Sequence, residues 1–150
     1  MNHPKDAATG YYRSRPFVLS LGLDLEEAVA APMAKSGSYS DGRDIGVPSE
    51  DILIRHCQMS AGHGGVVIGS EISGGARNIF VEHCQMDSPD LERGIRIKTN
   101  SVRGGVIENL FVRHVAIGQV RDAVVINFHY EEGDAGDHPP IVRNIYLSNV

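Results

Sequence analysis

His63 stands among three glycines in SAGHGGVVIGSE, residues 60–71, and opens directly onto an apolar run. Arg96 and Lys98 stand two apart in RGIRIKTN, residues 93–100, and Tyr130 closes VVINFHY, residues 124–130. An imidazole exchanges protons near neutral pH. A guanidinium forks onto a carboxylate, and an ammonium acts on it as a point charge. Two cations side by side repel each other, and a chain of net charge -5 gains little from pairing them unless they grip an anion. The chemistry suggested is capture of carboxylate groups by Arg96 and Lys98, with an imidazole and a phenol nearby. An ordinary solvated Arg–Lys pair is the plainer alternative, and only the neighbouring residues decide between them.

Positioning such a set requires a scaffold, and the chain repeats itself. DILIRHCQM (51–59) returns as NIFVEHCQM (78–86), NLFVRHVAI (109–117) and NIYLSNV (144–150), so that Ile52, Ile79, Leu110 and Ile145 are separated by 27, 31 and 35 residues. A second series, VVIGSE (66–71), IRIKTN (95–100) and VVINFH (124–129), recurs every 29 residues. Short Val- and Ile-rich alternating segments broken by Gly, Asn, Asp and Ser are strands rather than helices. One such coil cannot close a core alone, but stacked coils can, each strand pairing in parallel with its copy one turn on. The pattern predicts an all-β parallel β-helix, with a β-sandwich as the alternative.

Stacking converts the sequence into columns. With side chains alternating along a strand, Val66, Ile95 and Val124 point inward, as do Ile68, Ile97 and Ile126. Val67, Arg96 and Val125 form one outward column, and Gly69, Lys98 and Asn127 the next, with Gly69 leaving space beside Lys98. His63 precedes the strand in one coil, and Asn127, His129 and Tyr130 lie at the matching level in another, so the polar groups converge on one face. His3, His56, His83, His114 and His138 read as surface or turn residues without a role. Cys57 and Cys84 share a repeat position and are internal neighbours. A pair of buried thiols packing as small hydrophobes is favoured, and a disulfide is the alternative.

Bulk properties narrow the classes further. At 150 residues, 41% hydrophobic and 22% charged, the chain is one folded domain and not a disordered segment. Its acidic balance argues against a general nucleic-acid binder. Two cysteines without CxxC spacing offer no zinc site. No apolar run reaches membrane-spanning length. FVLSLGL near the start is followed by Asp24, Glu26 and Glu27 rather than a cleavage site, so no signal peptide is expected.

AGHGGVVIGSE followed at this distance by RGIRIKTN resembles glycoside hydrolase family 28, the polygalacturonases and related pectin-degrading hydrolases. IGVPSEDILIRHC, SEISGGARNIFVEHCQMDSP and TNSVRGGVIENLFVRHV resemble its bacterial members. The likeness covers Lys35 to Val150 and leaves residues 1–34 as a non-family segment. It implies a right-handed parallel β-helix, inverting hydrolysis of α-1,4-galacturonosyl bonds, no cofactor, no metal, and a monomer acting on pectin. Full-length members are typically secreted or periplasmic. By the resemblance His63 is the active-site histidine, Arg96 and Lys98 bind the galacturonate carboxylate, and Tyr130 contacts substrate.

Inversion needs one carboxyl as acid and another as base across the scissile bond. The resemblance implies three aspartates, one in N-T-D and two in G-D-D one coil before G-H-G. The family's segment ending K-S-G matches Lys35, Ser36 and Gly37, which puts the paired aspartates at Val29 and Ala30. No N-T-D occurs in the chain. Asp24 with Glu27 has the form of a capping box before AVAA, with Pro32 as a stop, and predicts a short helix there. Asp24, Glu26 and Glu27 fall outside the catalytic register. The expectation is therefore a carboxy-terminal part of such an enzyme, truncated, keeping the substrate-binding residues without the acid and base. The alternatives are a non-catalytic pectin-binding module and a non-functional gene fragment.

Overall fold

A computed structural model describes residues 35–37 and 39–150, together with the backbone of three short strands before them. In chain order the elements are β1 (Phe17–Ser20), β2 (Glu27–Ala28), β3 (Met33–Ala34), α1 (Tyr39–Ile45), β4 (Ser49–Arg55), β5 (Gln58–Met59) and β6 (Val66–Gly69). They continue as β7 (Ala76–Glu82), β8 (Gln85–Met86), β9 (Arg93–Lys98), β10 (Val106–Arg113), β11 (Ala116–Ile117), β12 (Asp122–Asn127) and β13 (Ile141–Ser148).

Every strand pairing is parallel and joins an element to its copy in the adjacent coil. The three sheets run β1-β4-β7-β10-β13, β11-β8-β5-β2 and β12-β9-β6-β3. This is the expected parallel β-helix. In the third sheet Val66, Ile95 and Val124 are partners, as are Ile68, Ile97 and Ile126, Val67, Arg96 and Val125, and Gly69, Lys98 and Asn127. The first series holds its register too, with Ile52, Ile79, Leu110 and Ile145 in one row.

Alternation fills the interior. Ile54, Met59, Ile68, Ile79, Met86, Ile95, Ile97 and Leu110 are buried in one continuous cluster. Each fully buried aliphatic side chain contributes about 1.5–3 kcal/mol relative to exposure. Cys57 and Cys84 lie inside this cluster as free thiols, the favoured of the two readings. Burial pushes the Cys84 thiol up to about 11, so it packs as a small apolar group rather than as a nucleophile.

Stacking also orders the exterior. Along the first sheet, Arg77 meets Glu50 at 2.6 Å, Arg113 meets Glu82 at 2.7 Å and Arg143 meets Glu108 at 2.6 Å. Alternating signs along a column turn a repulsive like-charge stack into an attractive one. Asp51, Asn78, Asn109 and Asn144 all adopt φ between 55° and 58°, a left-handed backbone that Asn and Asp tolerate best. Their side chains hydrogen-bond in series at 2.9, 3.0 and 3.0 Å. His56, His83 and His114 occupy exposed turns, as expected, and stack at 5.3 and 5.0 Å between ring centroids.

The amino-terminal segment corrects one expectation. Glu27–Ala28, where the capping box predicts a helix, forms β2 and pairs with Gln58 and Met59 of β5, while Met33–Ala34 pairs with β6. An isolated helix of one or two turns is marginal in water, whereas a preformed parallel edge offers bonding partners at once. Asp24, Glu26, Val29 and Ala30 lie outside the described residues. The helix that does form is α1, which Gly46 ends with φ 62° and a hydrogen bond from its N–H to the carbonyl of Gly42 at 3.1 Å. Among the described residues no helix is long and apolar enough to cross a membrane.

Candidate functional site

β6, β9 and β12 put the polar residues of the third sheet on its outer face. In β9, Ile95 and Ile97 enter the core while Arg96 and Lys98 stay half-buried outside. The Tyr130 ring lies against both. Lys98 Nζ is 4.3 Å from the ring centroid and Arg96 Cζ is 5.7 Å from it. A third cation, Arg103, also approaches to 5.7 Å. Burial first, and the neighbouring Arg96 charge next, hold the Lys98 ammonium below its ordinary value. Tyr130 is pushed above its usual value by burial and then by its hydrogen bond to Glu131. Among the described residues, Arg96 Nε is buried without a hydrogen-bond partner.

Gly69 occupies the row beside Lys98, but open space is not the whole reason for it. Its φ is 105°, and an added Cβ would fall 1.9 Å from the carbonyl oxygen of Lys98. The backbone of β6 therefore closes onto β9 at the residue that carries the ammonium, and only glycine permits that approach.

His63 sits in the turn between β5 and β6. That turn is tied to the next coil by a hydrogen bond from Gly62 N–H to the Asp90 carbonyl at 3.1 Å and by one from Glu92 N–H to the Gly62 carbonyl at 2.9 Å. A Cβ built on Gly64 would lie 3.4 Å from the Cβ of Arg96, so the histidine turn borders the cation column. His63 is 80% exposed, and its Nδ1 lies 3.0 Å from Glu92 Oε1. With Nδ1 engaged, Nε2 is the ring nitrogen left for a ligand. Glu92 is held in turn by Arg93, and by Arg121 at 3.5 Å. The hydrogen bond to His63, followed by that to Arg93, keeps its carboxyl below the usual range.

Glu92 is absent from the sequence-derived set, yet the signal was present. His63, Glu92 and Arg121 are 29 residues apart, the same offset that relates Val66 to Ile95 and Val124. The remaining expected neighbours behave differently. Asn127 turns its Oδ1 to the His129 N–H at 2.8 Å and closes its own turn. His129 is exposed.

Arg103 anchors the far side of the cluster and is 5% exposed. Its Nε and Nη2 donate to Glu132 at 3.2 and 3.0 Å, its Nη2 also pairs with Glu131, and its Nη1 donates to Ser70 Oγ. Asn100 Nδ2 donates to the Tyr130 carbonyl and to Glu132, both at 2.5 Å, and Tyr39 hydroxyl donates to Glu132 at 2.6 Å. The network fixes the loop that carries Tyr130. Hydrogen bonds from Arg103 first, then from Tyr39, bring the Glu132 carboxyl from an ordinary 4.5 down to about 2.

A carboxyl depressed on folding stabilises the native state above its unfolded value and loses that contribution as pH falls through its folded value. The Glu132 contribution is therefore complete above about 4.5 and disappears as pH falls towards about 2. Glu132→Gln is expected to flatten the fall in melting temperature across that interval. Thermal denaturation of both proteins over the interval checks it; parallel curves would contradict it.

Together, the parallel coils of a β-helix bring an imidazole-bearing turn and paired cations onto one outer face. The model of glycosyl hydrolases family 28 matches residues 37–150, and the chain belongs to that family. Its fold is similar to the crystal structure of a hyperthermoactive exopolygalacturonase from Thermotoga maritima, with 42% identity and a TM-score of 0.73. The similarity covers 78% of this chain and 26% of that protein, so the chain spans about a quarter of the neighbour's length. No curated protein matches.

Proposed function

We propose that this chain carries the galacturonate-gripping part of a polygalacturonase-type site and binds pectin-derived oligogalacturonate without hydrolysing it. The observation that carries the reading is the cluster of Arg96 and Lys98 around the Tyr130 ring, beside the His63 turn. An incoming uronate carboxylate relieves the repulsion between the two cations, matching the charge of the Arg96 guanidinium and the Lys98 ammonium. The Tyr130 face supports the sugar ring as an apolar platform. Glu92 holds His63 by Nδ1 and leaves Nε2 for a sugar hydroxyl or a reacting water. Family membership and the exopolygalacturonase neighbour support polygalacturonate as the ligand class.

Turnover by inversion requires an acid and a base on opposite sides of the glycosidic bond. The 150 residues contain no N-T-D motif, and the register positions of the paired aspartates are Val29 and Ala30, which lie outside the described residues. The acids beside the cations, exposed Glu131 and half-buried Glu132, are engaged with Arg103. Purified chain incubated with polygalacturonate is expected to release no reducing ends above the His63→Ala background. Release that disappears in His63→Ala would contradict the reading and place a working acid and base within this chain.

A further inference from the structure

We infer that Glu131 is a built-in counter-ion of the cation cluster, which competes with a substrate carboxylate and sets how tightly the site holds one. The inference rests on the proposed galacturonate reading of that site. Arg103 already has a carboxylate partner, because Glu132 accepts from both its Nε and its Nη2. Glu131 is a second carboxylate on the same guanidinium, while Arg96 and Lys98 have no carboxylate partner among the described residues. Counting the three cations against Glu131 and Glu132 leaves a single net positive charge. Without Glu131 there are two.

Position and backbone point the same way. Glu131 follows Tyr130, the residue whose ring touches all three cations. Its side chain is 53% exposed, so it can swing into solvent when an external anion arrives. Its φ is 56°, a left-handed conformation that costs a glutamate about 1–2 kcal/mol. A purely structural turn at this point is better served by glycine or asparagine. The strained glutamate aims a carboxylate into the cluster that neither of those residues would supply. Lys35 adds no free charge nearby, since it pairs with Glu71 at 3.0 Å.

The test is calorimetric titration of the whole chain with tetragalacturonate at low ionic strength. Glu131→Gln is expected to bind about three- to tenfold more tightly than the unsubstituted protein, the effect of removing one like charge a few ångströms from the ligand. The gain should vanish with the methyl-esterified oligomer, which carries no charge to repel. Glu131→Asn, which suits the left-handed backbone, should show the same gain. Equal or weaker binding by folded variants overturns the inference alone. Loss of fold in both makes Glu131 a structural residue and also overturns it. Absence of binding by all proteins, the unsubstituted one included, overturns the underlying reading as well.

Discussion

Alanine at both Arg96 and Lys98 is expected to lower the affinity for oligogalacturonate by at least about a hundredfold while leaving the fold intact. Each hydrogen bond to a charged group contributes about 1.5–3 kcal/mol, and about 1.4 kcal/mol is a factor of ten. Both side chains project from β9 away from the core, and their strand neighbours Ile95 and Ile97 carry the packing. Truncating them therefore removes charge without opening an internal cavity. It also removes their mutual repulsion, so stability should stay level or rise slightly. Calorimetric titration beside a circular-dichroism melt separates the two effects. Retained affinity in a folded double variant would reduce Arg96 and Lys98 to a solvated pair.

The second large effect is on stability. Gly69→Ala places a Cβ 1.9 Å from the Lys98 carbonyl oxygen at φ 105°. Forcing a side chain onto a left-handed backbone costs about 1–2 kcal/mol, and overpacking adds about 1–3 kcal/mol. The contact is with backbone, which cannot swing aside as a flexible side chain would. The sum, about 2–5 kcal/mol, is a large share of the roughly 5–15 kcal/mol that holds a typical domain together. Urea denaturation should show a clear fall in midpoint, and a midpoint within error of the parent would contradict this close approach of the coils. Because relief of the clash must move β6 against β9, the variant should also lose affinity for oligogalacturonate.

Much of this architecture was legible before any coordinates. Two interleaved repeats impose the columns, because strand alternation and parallel stacking leave no freedom once Val66 is paired with Ile95. Arg96, Lys98 and the buried thiols follow directly from that register. Glu92 was equally legible, since it stands one 29-residue offset beyond His63, but both residues precede the apolar strand from which the columns are read. Arg103 and Glu132 were not legible in this way. They lie in turns whose length changes from coil to coil, so no fixed period brings Arg103 to Ser70 or Tyr39 to Glu132. The glycine at position 69 was read as missing bulk, whereas its backbone angle and contact with Lys98 arise only in three dimensions. The amino-terminal segment misled because a capping box is a local signal, and pairing with β5 is a tertiary one that outweighed it.

The most direct measurement is titration of the unsubstituted chain with tetragalacturonate and, separately, with its methyl ester at low ionic strength. Capture of carboxylates by Arg96 and Lys98 predicts saturable binding of the acid that weakens as salt is added, with little or no binding of the ester. Equal affinity for acid and ester, or acid binding indifferent to salt, would show that these cations do not recognise the uronate charge.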